Sequence, residues 1–199
     1  TFKRRKNEKL TKTIVCSAVF VLVFSAFAFA EFQYKGTKIH MGEDLDPVQA
    51  HEMLTKDSGH TFLVDVRTRP EYQLLGHPEG ACNVPVKFWT IKAGKKGYEM
   101  AVNPDFGKDL LARFNPKTDT LLFLCRSGSR SCISSTEAVK AGFAEDKVFN
   151  IMGGFEGGKM KYKSSACCGK RIGGSWKNEG LPWTYHMDKR LMYQPDVAE

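Results

Sequence analysis

Thr120-Leu121-Leu122-Phe123-Leu124-Cys125-Arg126-Ser127-Gly128-Ser129-Arg130 is the stretch that decides the fold. Its first five residues are short and almost wholly apolar, which predicts a strand buried on both faces. Helical spacing resumes from Ser131 to Ala141, and Gly142 stands where a helix C-cap glycine belongs. A buried strand that passes through a polar loop into a helix is half of a parallel βαβ unit.

The flanking sequence repeats this alternation. Asp46-Pro47 is a helix start, with Asp as N-cap and Pro in the first turn, and the helix is expected to reach about Lys56. Thr61–Val66 reads as a second buried strand, Arg69–Leu75 as a short helix and Ala81–Val84 as a short strand. Lys92–Asn103 is rich in Gly and Lys and reads as a surface loop. Asp105–Phe114 has helical spacing, and Lys147–Ile151 is a further strand. A short strand is expected at Thr37–Met41. Strands alternating with helices predict an α/β domain with a mostly parallel central sheet flanked by helices. Residues 46–156 form its expected core, after a lead-in at 31–45. Residues 157–199 read as an irregular C-terminal arm that docks back through Gly180-Leu181-Pro182-Trp183. Trp89, Trp176 and Trp183 are expected to be packing anchors.

Charge is unevenly placed. The net charge is +8, yet Lys3, Arg4, Arg5, Lys6, Lys9 and Lys12 stand against only Glu8 ahead of an uncharged apolar run, Ile14–Ala30. A nucleic-acid binder keeps its basic excess on the folded domain, so no nucleic-acid partner is expected. Basic stretch, apolar run and the ending Ala28-Phe29-Ala30 together predict a secretory signal over residues 1–30, cleaved before Glu31. An uncleaved segment would serve as a membrane anchor instead. The expected location is therefore exported, most simply periplasmic, with membrane contact only through that segment.

Of six cysteines, Cys16 lies within the signal. The other five, Cys82, Cys125, Cys132, Cys167 and Cys168, are an odd number, so at least one thiol is expected to stay unpaired after export. Cys125 is the candidate with a chemical reason. A cysteine between a strand and a helix N-terminus faces unpaired backbone N–H groups and the positive end of the helix dipole, both of which favour a thiolate. Arg126 and Arg130 add positive charge, Ser127 and Ser129 offer hydroxyls, and Gly128 permits a tight turn. The loop from Cys125 to Arg130 is one residue shorter than the loop with which cysteine phosphatases wrap a phosphate. It suits a single extra sulfur better. No C-x-x-C or His/Cys pattern has zinc spacing, so no metal site is expected.

These motifs resemble the rhodanese family. Asp65-Val66-Arg67 with Glu71-Tyr72 is similar to its D-V-R-x-x-x-E-Y element, and Gly76-His77 with Gly80-Ala81-Cys82-Asn83-Val84-Pro85 is similar to its G-H-x-x-G-A-x-N-V-P element. Cys125–Arg130 resembles its active loop, and Val148–Gly154 the element that closes its fold. The resemblance implies a rhodanese-like domain and a sulfurtransferase. Cys125 would take sulfur from a small anionic donor, thiosulfate or a persulfide, and pass it to a thiol or cyanide acceptor. The loop amides and Arg130 would steady the persulfide, Arg126 would attract the donor, and no cofactor is needed. Asp65, Arg67 and Glu71 are expected to be structural, with Arg67 and Glu71 paired at helical spacing. His77 is expected to be a structural hydrogen-bonder and Cys132 a packed core residue. Cys132 and the adjacent pair Cys167-Cys168 depart from the family pattern. They keep open a thiol redox protein using Cys125 with a second cysteine, beside a non-catalytic sulfur-sensing or partner-binding module.

Overall fold

Asp46 caps the first helix as its sequence requires: its side chain accepts from the Gln49 N–H, while the Gln49 side chain accepts from the Asp46 N–H. The computed structural model describes residues 39–194. The predicted signal at residues 1–30 and most of the lead-in lie outside the described residues. In chain order the described elements begin β1 (Glu43–Leu45), α1 (Pro47–Lys56), β2 (Thr61–Asp65), α2 (Arg69–Leu74), β3 (His77–Pro78) and β4 (Cys82–Asn83). They continue β5 (Lys87–Gly94), β6 (Gly97–Val102), α3 (Phe106–Leu111), β7 (Thr120–Leu124), α4 (Ser129–Lys140), β8 (Val148–Ile151) and β9 (Trp183–Thr184). No helix among them is long and apolar enough to cross a membrane.

Five strands form one sheet in the order β1-β8-β7-β2-β4, every neighbour parallel. The expected α/β architecture with a mostly parallel sheet is therefore present. Strand β7 sits at its centre, and its alternation explains the two-layer core. Leu121 and Phe123 face one cluster with Phe106 and Leu110 of α3 and Ala138 of α4. Leu122 and Leu124 face the other, with Ala50 of α1, Phe155 and Trp176. All four strand residues are fully buried, and each buried apolar side chain contributes about 1.5–3 kcal/mol. Cys125 continues the alternation onto the Leu121 face.

Three expectations about element positions change. Lys92–Asn103 is no loop but most of a β5–β6 hairpin, in which Trp89 pairs Met100 and Ala93 pairs Tyr98 around a turn with Gly97 at φ 115°. Its alternating Trp89, Ile91, Tyr98 and Met100 carried the strand signal, which the lysines and glycines obscured. The first described strand lies at Glu43–Leu45, a polar edge strand pairing only β8, while of the strand expected at Thr37–Met41 residues 39–41 are not strand and the rest lie outside the described residues. Helix α4 begins at Ser129, two residues earlier than expected, since Gly128 takes φ 96° and turns the chain at once.

The end of β2 is fixed by a buried ion pair. Both Asp65 oxygens accept from Arg67 Nε, at 2.9 and 3.0 Å, and Arg67 Nη2 also donates to Gly76 O at 2.7 Å. Both side chains are fully buried, and the guanidinium lies 4.2 Å over the Phe155 ring. Arg67 thus pairs with Asp65 and not with Glu71, as the helical spacing had implied. Arg67 precedes α2, so the two residues never share its surface. Removing one partner from such a pair strands the other in the core. Asp65→Ala is expected to lower unfolding free energy by about 3–5 kcal/mol in urea titrations. The exposed Lys140→Ala should stay within about 0.5 kcal/mol of the parent.

Candidate active site

Cys125 leaves the carboxyl end of β7, the position at which parallel sheets present ligands. The left-handed Gly128 bends the next residues back over it. Three donors converge on its Sγ: the Gly128 N–H at 3.1 Å, the Arg130 N–H at 3.3 Å and, at 3.4 Å, the Ser131 hydroxyl, whose one proton is shared with Gly128 O at 2.9 Å. The two amides belong to the N-cap and first turn of α4, where helical donors have no partner of their own. Both donate towards the sulfur from the positive end of the helix. Cys125 is 1% exposed, and Ser127 and Ser129 form the outer surface of the loop.

Glycine is required beneath the loop. Gly154 has φ 59°, and a Cβ there would stand 2.4 Å from Cys125 O and 2.7 Å from Ser127 N. Its neighbours pair with the loop backbone: Phe155 N–H donates to Cys125 O at 2.7 Å and Glu156 N–H to Arg126 O at 3.0 Å.

The charged residues take specific partners. Arg130 donates through Nη1 and Nη2 to both Glu71 oxygens, at 2.7 and 2.6 Å, so its backbone and not its guanidinium addresses the sulfur. Burial alone pushes the Glu71 carboxyl up, but Arg130 and the donors of Thr68 overcome it and hold it down at about 2. Burial disfavours the Arg130 cation, and Glu71 more than offsets this, raising its proton affinity. Arg126 is held by Glu156. His77 stacks on Tyr72 at 3.7 Å and hydrogen-bonds Tyr72 O. Burial lowers its proton affinity, and it serves the fold. Cys132 is buried in α4, and Cys167 and Cys168 lie in the arm. No disulfide joins the cysteines among the described residues.

Cys125, Arg126, Ser127, Gly128, Ser129 and Arg130 therefore form one loop, with Glu71 bound to its end and Asp65 and Arg67 buried behind. Sequence reasoning missed Ser131 and Glu156. Ser131 was legible only with the helix start placed at Ser129, which puts it in the first turn facing Cys125. Glu156 carried no local signal, because its partner lies across the fold.

The site is thus a cysteine cradled by helix-start amides at the end of a parallel strand of an α/β sheet. A family model described as Rhodanese-like domain matches residues 46–161, and the chain belongs to that family. It is 30% identical over 146 residues to Uncharacterized protein RC0915 of Rickettsia conorii, covering 72% of this chain and 98% of that one. It is 38% identical over 106 residues to thiosulfate sulfurtransferase 16, chloroplastic, of Arabidopsis thaliana, covering 53% and 78%. The crystal structure of Rv0390 from M. tuberculosis superposes with a TM-score of 0.55 at 31% identity, covering 73% and 99%.

The Glu71–Arg130 pair has a pH signature. The folded carboxyl titrates at about 2 and its ordinary value is 4.5. A depressed carboxyl contributes its stability above the ordinary value and loses it as pH falls towards the folded one. Between pH 4.5 and 2 the parent is expected to lose stability more steeply than Glu71→Gln, measured by urea unfolding at each pH.

Proposed function

We propose that the protein is a sulfurtransferase that carries sulfane sulfur as a persulfide on Cys125. The observation that supports this most directly is the set of three donors at 3.1–3.4 Å around one sulfur. Donors arranged for a thiolate serve equally for the anionic outer sulfur of a persulfide. The buried setting favours slim donors over bulky ones.

In the first half-reaction the Cys125 thiolate attacks the terminal sulfur of thiosulfate. A new S–S bond forms, the sulfur–sulfonate bond breaks, and sulfite leaves with the bonding electron pair. The negative charge stays on the outer sulfur of the persulfide. In the second half-reaction a thiolate or cyanide attacks that outer sulfur, and Cys125 returns as thiolate. Each half is a nucleophilic displacement at sulfur that needs no electron carrier. The reading takes the basic-apolar leader as an export signal, so the reaction would run outside the cytoplasm, most simply in a periplasm.

Residues 31–199 incubated with thiosulfate are expected to gain the mass of one sulfur atom, and to lose it on adding cyanide or a thiol. Cys125→Ser should gain nothing. Intact-mass spectrometry reads both. A folded, reduced parent that gains no mass with thiosulfate, polysulfide or an organic persulfide would overturn the proposal.

A further inference from the structure

The C-terminal arm returns to the active loop. Lys159 and Arg171 form an isolated antiparallel bridge, reinforced by Met160 N–H to Lys170 O and Gly169 N–H to Met160 O, both at 2.9 Å. The arm then lies against residues 153–157 so closely that only glycine fits. A Cβ on Gly153 would fall 1.9 Å from Gly174 O, and one on Gly157 would fall 2.5 Å from Gly173 O. Trp176 and Lys177 N–H donate to Gly154 O and Phe155 O, at 2.9 and 3.1 Å. Residues 154–156 are thus held between the arm and the loop, whose Cys125 O and Arg126 O they bond.

Arg171 stands at this junction. Its Nη1 donates to Gly157 O, one residue from the Glu156 that holds Arg126. Its Nε is buried with no hydrogen-bond partner. Burial and the Arg126 charge work against its cation and outweigh the favourable influence of Glu156, Cys125 and Glu71, none of which bonds to it. The other two arginines of the loop are neutralised in pairs, Arg126 by Glu156 and Arg130 by Glu71. Among the described residues no carboxylate is in ion-pair contact with Arg171. The arm therefore brings a partly buried guanidinium with no carboxylate in contact to a loop whose own arginines are already paired, where a small anion would supply the missing partner.

We propose that Arg171 is the residue that seats the anionic end of the sulfur donor beside the Cys125 loop, making the site selective for small oxyanion donors of the thiosulfate class. This deepens the sulfurtransferase reading and rests on it. A guanidinium presents parallel donors that match two oxygens of a sulfonate. With the sulfonate on Arg171, the terminal sulfur is left for Cys125, and the departing sulfite keeps its charge on the same cation. An alkyl persulfide has no oxyanion next to its outer sulfur and gains less.

Occupancy can be read without turnover. Sulfate, an unreactive dianion, is titrated at constant ionic strength for its ability to slow alkylation of Cys125 by uncharged iodoacetamide, followed by peptide mass spectrometry. Sulfate is expected to protect the parent. Arg171→Gln should need about tenfold more sulfate for half-protection, the loss of one charge-assisted contact, and Arg171→Lys should recover part of it. Thiosulfate turnover should show the same loss in KM more than in kcat. Equal protection of Arg171→Gln and the parent would overturn the proposal. So would equal loss in the Gln and Lys variants accompanied by a fall in Tm, which would make the residue structural. Because protection is read from an unreactive ion, a parent that binds sulfate but forms no persulfide would sink the sulfurtransferase reading and leave the anion site standing.

Discussion

The structure turns on the convergence of backbone donors on one sulfur. Gly128 and Arg130 can aim their N–H groups at Cys125 only because α4 starts immediately after a left-handed glycine. That start must be held at a fixed distance from the end of β7, and the neighbouring elements supply the holding. Strand β7 is buried on both faces at the centre of the sheet. From one side Glu71 of α2 grips the Arg130 side chain, and from the other Phe155 and Glu156 pair with the loop backbone. Behind α2, the Asp65–Arg67 pair and the bond from Arg67 to Gly76 O fix where that helix begins and where its following turn lies.

The electrostatics follow from this geometry. Arginines are collected around the sulfur, but three of them are bound before they reach it. Arg67 is committed to Asp65, Arg130 to Glu71 and Arg126 to Glu156. What remains at the sulfur itself is a set of dipoles, two amides and a hydroxyl, which stabilise charge without a counter-ion that a substrate would have to displace. Such an arrangement holds the sulfur in a fixed direction.

Much of this was legible in the sequence, for physical reasons that differ by element. TLLFL announced itself because a strand buried on both faces must be apolar throughout, and Asp46-Pro47 because helix starts need a cap and tolerate proline there. The candidate loop was legible because a cysteine, a glycine and two arginines fall between strand and helix. What the sequence concealed were choices among partners. Arg67 and Glu71 have the spacing of a helical pair, yet the helix begins after Arg67, and each finds a partner elsewhere. Ser131 was hidden by a two-residue error in a helix start, the boundary that local pattern defines least. The β5–β6 hairpin was masked by lysines that leave its apolar alternation exposed to solvent. Glu156 and Arg171 reach the loop through tertiary contacts alone, and no local pattern announces those.

The central claim is that the nest around Cys125 holds a sulfur-bound anion. The most direct measurement is a crystal structure of the protein after treatment with thiosulfate. The account predicts density for one additional atom on Cys125 Sγ, within hydrogen-bonding distance of the loop amides, with the Glu71–Arg130 and Arg126–Glu156 pairs retained. Added sulfur found instead on Cys132, Cys167 or Cys168, with Cys125 bare, would contradict it.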